Sequence, residues 1–502
     1  MTDKYLENKY TELIKTINEY NKKANLDLVR KAFEFADLAH SEQKRLNDDP
    51  YIDHCLATAI ILAEWKLDEE TIIAGLLHDT IEHGAATDSD ILHAFGKEVL
   101  DLVEGVTKVS KIKLKGSEEE AFVENLRKMF LAIAKDLRIV FLRLAERIDN
   151  LKTIKYLPPS RRELYAKDSL EIYAPLAERL GIWGAKTLID DMAFPYIYPE
   201  DYKKVNTLSS PFFLDAEKRI GKMKKALLRE FKKQRVNAEI FGRRKSLYSI
   251  FNKLKKDEIE WDFDKIYDIA ALRVIVNKIS ECYLALGLLH KLYKPVPQMP
   301  LADFIAVPKP NGYRSIHTKV FGPGEKIVEV QIRTREMHEQ AEFGAAAHWA
   351  YSEAKYGGVK DEVLEKGKLK LGKNKLLWVM KLAKWQKEIK NNKEFLKAVK
   401  FDALSRRIFV FSPKGDVYDL PEEATPVDYA FAVHTDLGEY IKAAKVDAKI
   451  VPLSYKLKSG QIVEILKSKE KRQPNHDWLG FVVTTQARRE INKRLRNIKI
   501  KE

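Results

Sequence analysis

Apolar residues recur at every third or fourth position along residues 1 to 200, as in the group Ile72, Ile73, Leu76 and Leu77. This spacing places apolar side chains on one face of an α-helix, so the region is predicted to be helical throughout. Helix-breaking prolines are expected to interrupt or end the pattern at Pro158-Pro159, Pro195, Pro199 and Pro211.

The spacing of apolar residues changes after about residue 236. Strand-like apolar runs begin at Ala271 (A-L-R-V-I-V) and Ile327 (I-V-E-V-Q-I), with amphipathic stretches between them. This alternation predicts a mixed α/β or α+β domain. From about residue 406 to 466, short runs such as R-I-F-V-F and V-Y-D-L are separated by the turn residues S-P-K-G-D.

These patterns predict a multidomain α+β protein. An all-helical domain is expected over 1–200, a mixed α/β domain over 201–355 and a small strand-rich domain over 404–468. A lysine-rich helix over 356–403 is expected to link the second and third domains. The basic residues 469–502 are predicted to begin a further helical region.

The charge balance narrows the choice of partners. The chain contains 89 Lys and Arg against 74 Asp and Glu, a formal net charge of +15. Such an excess favours nucleotides, RNA or acidic surfaces, although a lysine-rich solvated surface has the same composition. Two cysteines cannot build a disulfide framework. The polar N-terminus lacks the apolar core of a signal peptide, and no apolar run is long enough to span a bilayer, so a cytoplasmic protein is expected.

The motif P-K-P-N-G-Y-R-S-I-H-T contains candidate ligand-binding residues. Asn311-Gly312 is typical of a turn, and the residues after it alternate as in a strand. Alternation places Tyr313, Ser315 and His317 on one face. A ring, a hydroxyl and an imidazole can stack on a base and hold its sugar and phosphates. A hairpin with a structural histidine is the alternative.

The strand predicted at V-E-V-Q-I-R has one apolar and one polar face. Alternation directs its aliphatic side chains into the core and places Glu329, Gln331 and Arg333 on the opposite face. A carboxylate beside a guanidinium suits a site for metal and phosphate, because Mg²⁺ takes oxygen ligands and keeps phosphate partners. Asp268, just before the strand that contains Arg273, is a candidate second carboxylate ligand.

A basic segment, G-R-R-K-S-L-Y-S-I-F-N-K-L-K-K, precedes that strand. It concentrates Arg243, Lys245 and Lys253 within eleven residues or so, and a triphosphate needs such a cationic cluster. A solvated charged face is the alternative, because runs of charge are common on protein surfaces.

A second candidate site lies among the N-terminal helices. Two imidazoles and two carboxylates, on separate predicted helices, form a mixed nitrogen and oxygen set fit for Mn²⁺, Fe²⁺ or Zn²⁺: His54, His78, Asp79 and Glu146. Structural His–Asp pairs are common. This pair, however, falls within the otherwise apolar helix G-L-L-H-D-T-I-E, where buried polar groups need partners.

Several long motifs occur together, and they closely resemble the synthetase domain of the long RelA/SpoT homologues. The matching stretches are G-R-R-K-S-L-Y-S-I, Y-D-I-A-A-L-R-V-I-V, D-F-I-A-V-P-K-P-N-G-Y-R-S-I-H-T, V-E-V-Q-I-R-T-R-E-M-H and A-A-A-H-W-A-Y. The resemblance extends over nearly the whole chain, in family order. It implies a stringent-response enzyme that transfers pyrophosphate from ATP to the 3′-hydroxyl of GDP or GTP and releases AMP.

The resemblance also implies roles for the matching residues. ATP would be bound by four basic side chains, with the two arginines around adenine and the lysines at the phosphates: Arg243, Lys245, Lys253 and Arg273. GDP or GTP binding is expected at Lys309, Tyr313 and His317, with Tyr313 stacked on guanine. Asp268 and Glu329 would bind Mg²⁺, and Glu329 would accept the proton of the attacking 3′-hydroxyl.

The N-terminal region resembles the HD-type hydrolase domain of the same family, which removes the 3′-pyrophosphate of (p)ppGpp. On this resemblance Mn²⁺ would be bound by His54, His78, Asp79 and Glu146. Glu82 would support the attacking water. Three further residues would contact the nucleotide: Arg45, Asn150 and Thr153.

The chain departs from the family pattern at several positions. The fourth metal ligand is usually aspartate but here is Glu146, the acidic residue after Glu82 is replaced by His83, and a phosphate-binding lysine is replaced by Leu46. A working hydrolase and a degenerate regulatory domain are therefore both open. In the synthetase region a charged tetrad is replaced by Pro300-Leu301-Ala302-Asp303, which leaves the metal response and the acceptor preference open.

The segment from Arg406 to about Lys467 resembles a TGS domain, a small β-grasp module. Relatives use this module to contact the CCA end of uncharged tRNA on a stalled ribosome, which makes His434 a candidate tRNA contact. A folding module without an RNA role is one alternative. A ribosome- or RNA-binding regulator whose two enzyme domains are relics is the alternative for the whole chain.

Overall fold

The computed structural model of the chain describes residues 2–83, 85–110, 118–255, 259–309, 312–344, 391, 394–396, 399, 407–471 and 474–499. The chain divides into two units, Met1–Val379 and Met380–Glu502. The predicted linking helix over 356–403 lies almost entirely outside the described residues, and the motif A-A-A-H-W-A-Y lies wholly outside them.

Helices fill most of the first two hundred residues, as the apolar spacing predicts. They are α1 (Thr2–Tyr20), α2 (Leu26–Ala39), α3 (Ile52–Glu64), α4 (Glu69–Leu77), α5 (Asp88–Phe95), α6 (Lys97–Ser110), α7 (Glu118–Lys135), α8 (Arg138–Lys152), α9 (Pro159–Asp168), α10 (Ala174–Leu180) and α11 (Trp183–Ile197). Helices α3 and α4 are apolar on nearly all sides and are buried. Asp68 caps α4, because its side chain accepts a hydrogen bond from the Thr71 backbone.

Two of the prolines expected to break helices lie inside them instead. Helix α11 continues through Pro195, and the 35-residue helix α12 (Pro199–Lys233) continues through Pro211. Pro211 itself is exposed, while Val205 and Phe213 on either side of it pack into an apolar cluster. This packing offsets the backbone hydrogen bond that proline cannot donate.

A five-stranded mixed sheet follows α12 in the first unit. Its strands are β1 (Glu239–Arg244), β2 (Ala270–Val276), β3 (Ala302–Asp303), β4 (Ile316–Phe321) and β5 (Ile327–Thr334), in the spatial order β1-β2-β5-β4-β3. Strands β2 and β5 are parallel, and the other neighbours are antiparallel. Three helices accompany the sheet: α13 (Leu247–Leu254), α14 (Ile279–Leu292) and α15 (Arg335–Phe343).

Alternation along the strands separates an apolar face from a polar face. Val328, Val330 and Ile332 of β5 are buried in a cluster with apolar residues of α12 and α14, which confirms the core face predicted for this strand. The opposite face is free to carry polar side chains from several strands.

The second unit contains the predicted short strands and turns. They are β6 (Arg407–Phe411), β7 (Val417–Pro421), β8 (Ile441–Val446), β9 (Lys449–Val451) and β10 (Val463–Lys467). Strands β6 and β7 form a hairpin, and the others form a sheet in the order β10-β8-β9. Helix α16 (Pro426–Val433) packs against both through Tyr429, and α17 (Thr485–Lys499) ends the described chain. The predicted multidomain α+β class is confirmed.

Within the described ranges, no helix combines the length and the apolar character needed to cross a bilayer. Cys55 and Cys282 are both buried and form no disulfide.

Candidate active sites

The polar face of the five-stranded sheet brings together residues from four strands. Residues paired across neighbouring strands point to the same face. One row of paired positions therefore contains Phe241, Arg273, Gln331 and His317. The adjacent row contains Arg243, Ala271, Glu329 and Lys319. The sequence-predicted residues Arg243, Arg273, His317 and Glu329 thus share one surface.

Asp268 lies two residues before β2 and is held by both predicted phosphate-binding lysines. Lys245 Nζ donates to Asp268 Oδ2 at 2.7 Å, and Lys253 Nζ donates to the same oxygen at 2.6 Å. Burial alone would raise the pKa of Asp268, but the two ammonium groups lower it to about 2. Burial lowers the pKa of Lys245. The negative charge of Glu329 lies near enough to oppose this effect, since it favours the protonated lysine.

The second oxygen of Asp268 suggests how a metal could be accommodated. Asp268 Oδ1 is buried and has no hydrogen-bond partner in the described part of the chain. A buried carboxylate oxygen without a hydrogen-bond donor, in a side chain whose other oxygen is held by two lysines, suits a divalent cation with oxygen ligands. The residues present therefore fit the metal that the sequence predicts here.

Tyr313, His317 and Glu329 form a row of polar contacts. The Tyr313 hydroxyl lies 2.8 Å from His317 Nε2, and His317 Nδ1 lies 3.6 Å from Glu329 Oε1. Gln331 Nε2 donates to that same glutamate oxygen at 3.0 Å. Burial, reinforced by surrounding cations, lowers the pKa of His317 to about 3, so the imidazole is neutral at neutral pH.

Lys309 lies beside this row at a tight turn. Gly312 donates its backbone N–H to Lys309 O at 2.7 Å and has a φ of +80°, a conformation that favours glycine. The Lys309 ammonium lies 4.5 Å from the centre of the Phe304 ring and 5.3 Å from that of Tyr313. Burial lowers the pKa of Lys309. The predicted turn is present at Gly312, while Asn311 lies outside the described residues.

Ser315 does not share the ligand-facing surface predicted for it. Regular alternation begins only at Ile316, where β4 starts. Ser315 is fully buried, and its hydroxyl donates to Ile332 O on the neighbouring strand at 3.1 Å. The prediction that this hydroxyl faces a nucleotide is wrong, because the irregular chain before the strand turns it into the core.

An arginine cluster from β2 and β5 lies on the same polar face. Arg273 Nη1 donates to Glu342 Oε1 of α15 at 2.7 Å, and Arg333 Nη2 donates to the same oxygen at 3.3 Å. Burial and the neighbouring arginines lower the pKa of Arg273 to about 10. Its Nε and Nη2 are buried and lack a hydrogen-bond partner among the described residues. The Arg273 guanidinium carbon also lies 5.5 Å from the centre of the Phe241 ring. Buried donors beside an aromatic ring suit an aromatic or anionic ligand.

The N-terminal candidates converge on one buried point. His54, His78 and Asp79 each offer one ligand atom, and these atoms lie within 4.8 Å of one another. His54 lies on α3, whereas α4 ends at Leu77. The pair His78-Asp79 therefore occupies the turn after α4, and the prediction that it lies within the helix is wrong.

The orientation of the two imidazoles fits a metal ion. His54 Nδ1 is bonded to Asp149 Oδ2 at 2.7 Å, and His78 Nδ1 to Gly75 O at 2.9 Å. Both Nε2 atoms consequently face Asp79 Oδ2, at 3.9 Å and 3.2 Å. The Nε2 atom of His78 is buried without a hydrogen-bond partner in the described ranges. Metal-binding histidines have this arrangement, with the second ring nitrogen held by a carboxylate or carbonyl.

Glu146 lies near this group but is engaged elsewhere. Arg143 Nη1 donates to Glu146 Oε2 at 2.8 Å. Burial disfavours the charged carboxylate, but Arg143, His78 and His54 together lower the pKa of Glu146. The role of Glu146 as a fourth ligand stays a prediction, and it requires the carboxylate to turn from Arg143 towards His78.

The residues predicted to contact the nucleotide lie together beside the metal site. Arg45 Nη2 donates to Asn150 Oδ1 at 2.6 Å and to Thr153 Oγ1 at 3.1 Å. Glu82 is half-buried in the turn after His78-Asp79. His83 is exposed and lies 3.1 Å from the Tyr51 hydroxyl.

Several residues of these sites were missed by the sequence reasoning. Tyr51 donates to Asp79 Oδ2 at 2.7 Å, and Asp149 holds His54. Asp149 could have been found, because it lies three residues after Glu146 and so on the same face of α8. Glu342 has no such signal, since its contact with Arg273 joins residues 69 positions apart.

The remaining predicted positions, Asp303 and His434, lie outside the two candidate sites. Asp303 accepts hydrogen bonds from Tyr283 and from the backbone of Ile305 and Ala306, so this residue of the Pro300–Asp303 tetrad stabilises a turn. His434 is exposed at the end of α16, and its contact with tRNA stays a prediction.

Comparison with known proteins assigns the family. Models described as "HD domain", "Region found in RelA / SpoT proteins" and "TGS domain" match residues 32–183, 242–356 and 408–467. The bifunctional (p)ppGpp synthase/hydrolase SpoT of Escherichia coli strain K12 is 41% identical over 495 residues, which are 99% of this chain and 68% of that protein. The chain belongs to the RelA/SpoT family. The match in all three segments excludes a chance resemblance of one motif.

Other RelA/SpoT relatives are similarly close. A GTP pyrophosphokinase of Myxococcus xanthus is 43% identical over 95% of this chain and 61% of its own length. A guanosine-3′,5′-bis(diphosphate) 3′-pyrophosphohydrolase of Aquifex aeolicus is 42% identical over 97% of this chain and 66% of its own length. The chain thus spans 61% to 68% of the length of these relatives.

Proposed function

We propose that this chain synthesises alarmones, transferring pyrophosphate from ATP to the 3′-hydroxyl of GDP or GTP in the stringent response. The observation that carries the proposal is Asp268, held between Lys245 and Lys253 just before β2, with Glu329 of the neighbouring strand β5 near enough to Lys245 to act on its charge. Two carboxylates and two lysines are the groups that a metal-bound triphosphate requires. The pyrophosphokinase and synthase names of relatives support the same reaction.

The reaction assigns each group a task. The 3′-oxygen of the acceptor forms a bond to the β-phosphorus of ATP, the bond from that phosphorus to the AMP oxygen breaks, and AMP leaves. Glu329 accepts the proton of the 3′-hydroxyl. Lys245 and Lys253 release Asp268 and bind the phosphates of ATP. Mg²⁺, held by Asp268 and Glu329, would offset the charge of the transferred group.

In this proposal the two nucleotides occupy neighbouring parts of the polar face. Arg243 and Arg273 hold the adenine, which gives a ligand to the Arg273 guanidinium donors that have no partner among the described residues. Lys309, Tyr313 and His317 hold the acceptor, with guanine stacked on the Tyr313 ring. The neutral imidazole of His317 lies between the Tyr313 hydroxyl, at 2.8 Å, and Glu329, at 3.6 Å, and adds no positive charge.

Replacing Glu329 by Gln tests the synthetase proposal. The change removes the negative charge and the proton acceptor while nearly keeping the shape of the side chain. Synthesis should fall about a hundredfold or more, because general-base catalysis alone contributes roughly that factor. Glu325→Gln, in the exposed turn before β5, is the matched control and should leave the rate unchanged. Comparable turnover by Glu329→Gln and the control contradicts the assignment.

A second activity, hydrolysis of (p)ppGpp to GDP or GTP and pyrophosphate, is favoured by the convergence of His54, His78 and Asp79. Mn²⁺ would be the ion, with Glu146 completing the ligand set and Glu82 supporting the attacking water. Arg45, Asn150 and Thr153 would hold the nucleotide. The competing proposal is a regulatory domain without turnover. Two observations favour it: Glu146 is hydrogen-bonded to Arg143, and Leu46 and His83 differ from the family pattern.

Replacing His78 by Ala separates these two possibilities. It should abolish Mn²⁺ binding and (p)ppGpp hydrolysis together, because metal affinity depends on the full ligand set. His93→Ala, at an exposed histidine of α5, should change neither. Wild-type protein that binds no Mn²⁺ and releases no pyrophosphate instead supports the regulatory domain.

The second unit is proposed to connect the enzyme to uncharged tRNA and the ribosome in the cytoplasm. Support comes from the TGS match, the net charge of +15 and the exposure of His434. His434→Ala should weaken stimulation of synthesis by ribosomes carrying uncharged tRNA, without changing the unstimulated rate. Stimulation equal to that of wild type excludes His434 as the contact.

A further inference from the structure

Asp149 is a buried carboxylate at the proposed hydrolase site. It is not among the proposed metal ligands His54, His78, Asp79 and Glu146. It lies on α8, is 8% exposed, and accepts the Nδ1–H of His54 through Oδ2 at 2.7 Å. Because Nδ1 carries the proton in this contact, the lone pair of the neutral ring is left on Nε2. That atom faces Asp79 Oδ2. Asp149 therefore determines which nitrogen of His54 is offered to a cation.

The same carboxylate also reaches the residues of the nucleotide site. Arg45 Nη1 lies 3.8 Å from Asp149 Oδ2, while the other end of this guanidinium donates to Asn150 and Thr153. Lys152 Nζ lies 3.5 Å from Asp149 Oδ1. One side chain thus contacts both a metal-ligand candidate and the arginine beside the nucleotide. Asp149 is not one of the three groups whose ligand atoms converge.

We infer that Asp149 is a positioning residue of the hydrolase site, which fixes His54 with Nε2 towards the metal and holds Arg45 beside it. The inference rests on the proposed metal-dependent function of this domain. Asp149 does not bind the metal or touch the reacting atoms. Outer carboxylates of this kind fix the ring orientation and raise the basicity of the ligand nitrogen.

Asp149→Asn in the full chain tests the inference by metal binding. The amide keeps the size of the side chain but removes its charge, so the affinity for Mn²⁺, measured by calorimetry, should fall on the order of tenfold to a hundredfold. At saturating Mn²⁺ the KM for ppGpp should rise as well, because Arg45 loses its anionic neighbour. Asp53→Asn is the matched control. Asp53 precedes His54 on α3 but pairs with Lys9 at 2.5 Å, so its replacement should leave Mn²⁺ affinity unchanged.

The outcomes separate this inference from the proposed hydrolysis. Mn²⁺ affinity of Asp149→Asn within twofold of wild type overturns the inference. Wild-type protein that binds Mn²⁺ but does not hydrolyse ppGpp sinks the hydrolase proposal alone, since the affinity comparison still decides the role of Asp149. Wild-type protein that binds no Mn²⁺ overturns both.

A measurement on wild-type protein keeps the inference testable if Asp149→Asn does not fold. Long-range ¹⁵N spectra of metal-free, histidine-labelled protein, with His54→Gln to assign the signal, report the protonated ring nitrogen. The inference requires the proton of neutral His54 on Nδ1. A proton on Nε2 overturns it.

Discussion

At Tyr313 the hydroxyl and the ring have separable tasks. The hydroxyl contacts His317, while the ring lies beside Lys309 and is the surface proposed to stack on guanine. Tyr313→Ala should weaken GDP or GTP binding by about 1–3 kcal/mol, the usual loss for one base–aromatic stack. Tyr313→Phe keeps the ring and should retain most of the affinity.

Calorimetric titration with each nucleotide checks this prediction. The affinity for ATP should change little in Tyr313→Ala, because the adenine is proposed to lie against Arg243 and Arg273. A loss of ATP affinity with GDP affinity unchanged shows that the two nucleotide positions have been exchanged.

His317 should make the stability of the metal-free protein depend on pH. Its pKa is lowered to about 3 in the folded chain, so below pH about 6.5 unfolding takes up a proton that the folded state does not bind. The free energy of unfolding should therefore fall as the pH falls from about 6.5 towards 4. His317→Gln removes this titration and should give a shallower dependence in chemical denaturation.

Exposed His93 provides the control for that comparison. His93→Gln should follow the wild-type curve over the same pH range, because this histidine lies on the surface. A His317→Gln curve parallel to that of wild type contradicts the burial of a neutral imidazole at this position.

At the level of elements, Asp428 joins two helices of the second unit. Its Oδ2 accepts from the backbone and hydroxyl of Thr425 at the start of α16, and its Oδ1 accepts from those of Thr484, just before α17. Asp428→Asn replaces one acceptor oxygen by a donor and leaves buried donors unpaired. The local free energy of unfolding should fall by about 2 kcal/mol or more.

Hydrogen exchange of the α16 and α17 amides measures this effect where it arises. Both helices should lose protection together, because Trp478, Val482 and Ile491 share an apolar cluster with α16. Asp436→Asn, at an exposed carboxylate after α16, should leave the protection unchanged. Loss confined to α17 contradicts a joint role of Asp428.

The elements differ in how far the sequence could predict them. Strict alternation identified the polar face of β5, since a strand with one buried face must repeat every two residues. Ser315 was misplaced because regular alternation begins only at Ile316, the residue after it. Pro195 and Pro211 were misread, because whether a helix tolerates proline depends on packing from distant segments.

The candidate sites show the same division. Metal-ligand candidates and phosphate-binding lysines could be named from residue type and motif. Helical spacing places Asp149 on the same face of α8 as Glu146, but it does not show that Asp149 reaches His54 across 95 positions or that Glu342 reaches Arg273 across 69. Sequence periodicity contains no information on such tertiary pairs.

The whole molecule is proposed to transfer pyrophosphate and also contains an HD domain with a candidate metal site. The most direct measurement incubates the full chain with Mg²⁺, GDP and ATP labelled at the β-phosphate, and separates the products. Equal amounts of AMP and of a labelled guanosine tetraphosphate are expected, both strongly reduced in Glu329→Gln. Formation of ADP in place of AMP, or no labelled guanosine product from protein that binds both nucleotides, contradicts the proposed transfer.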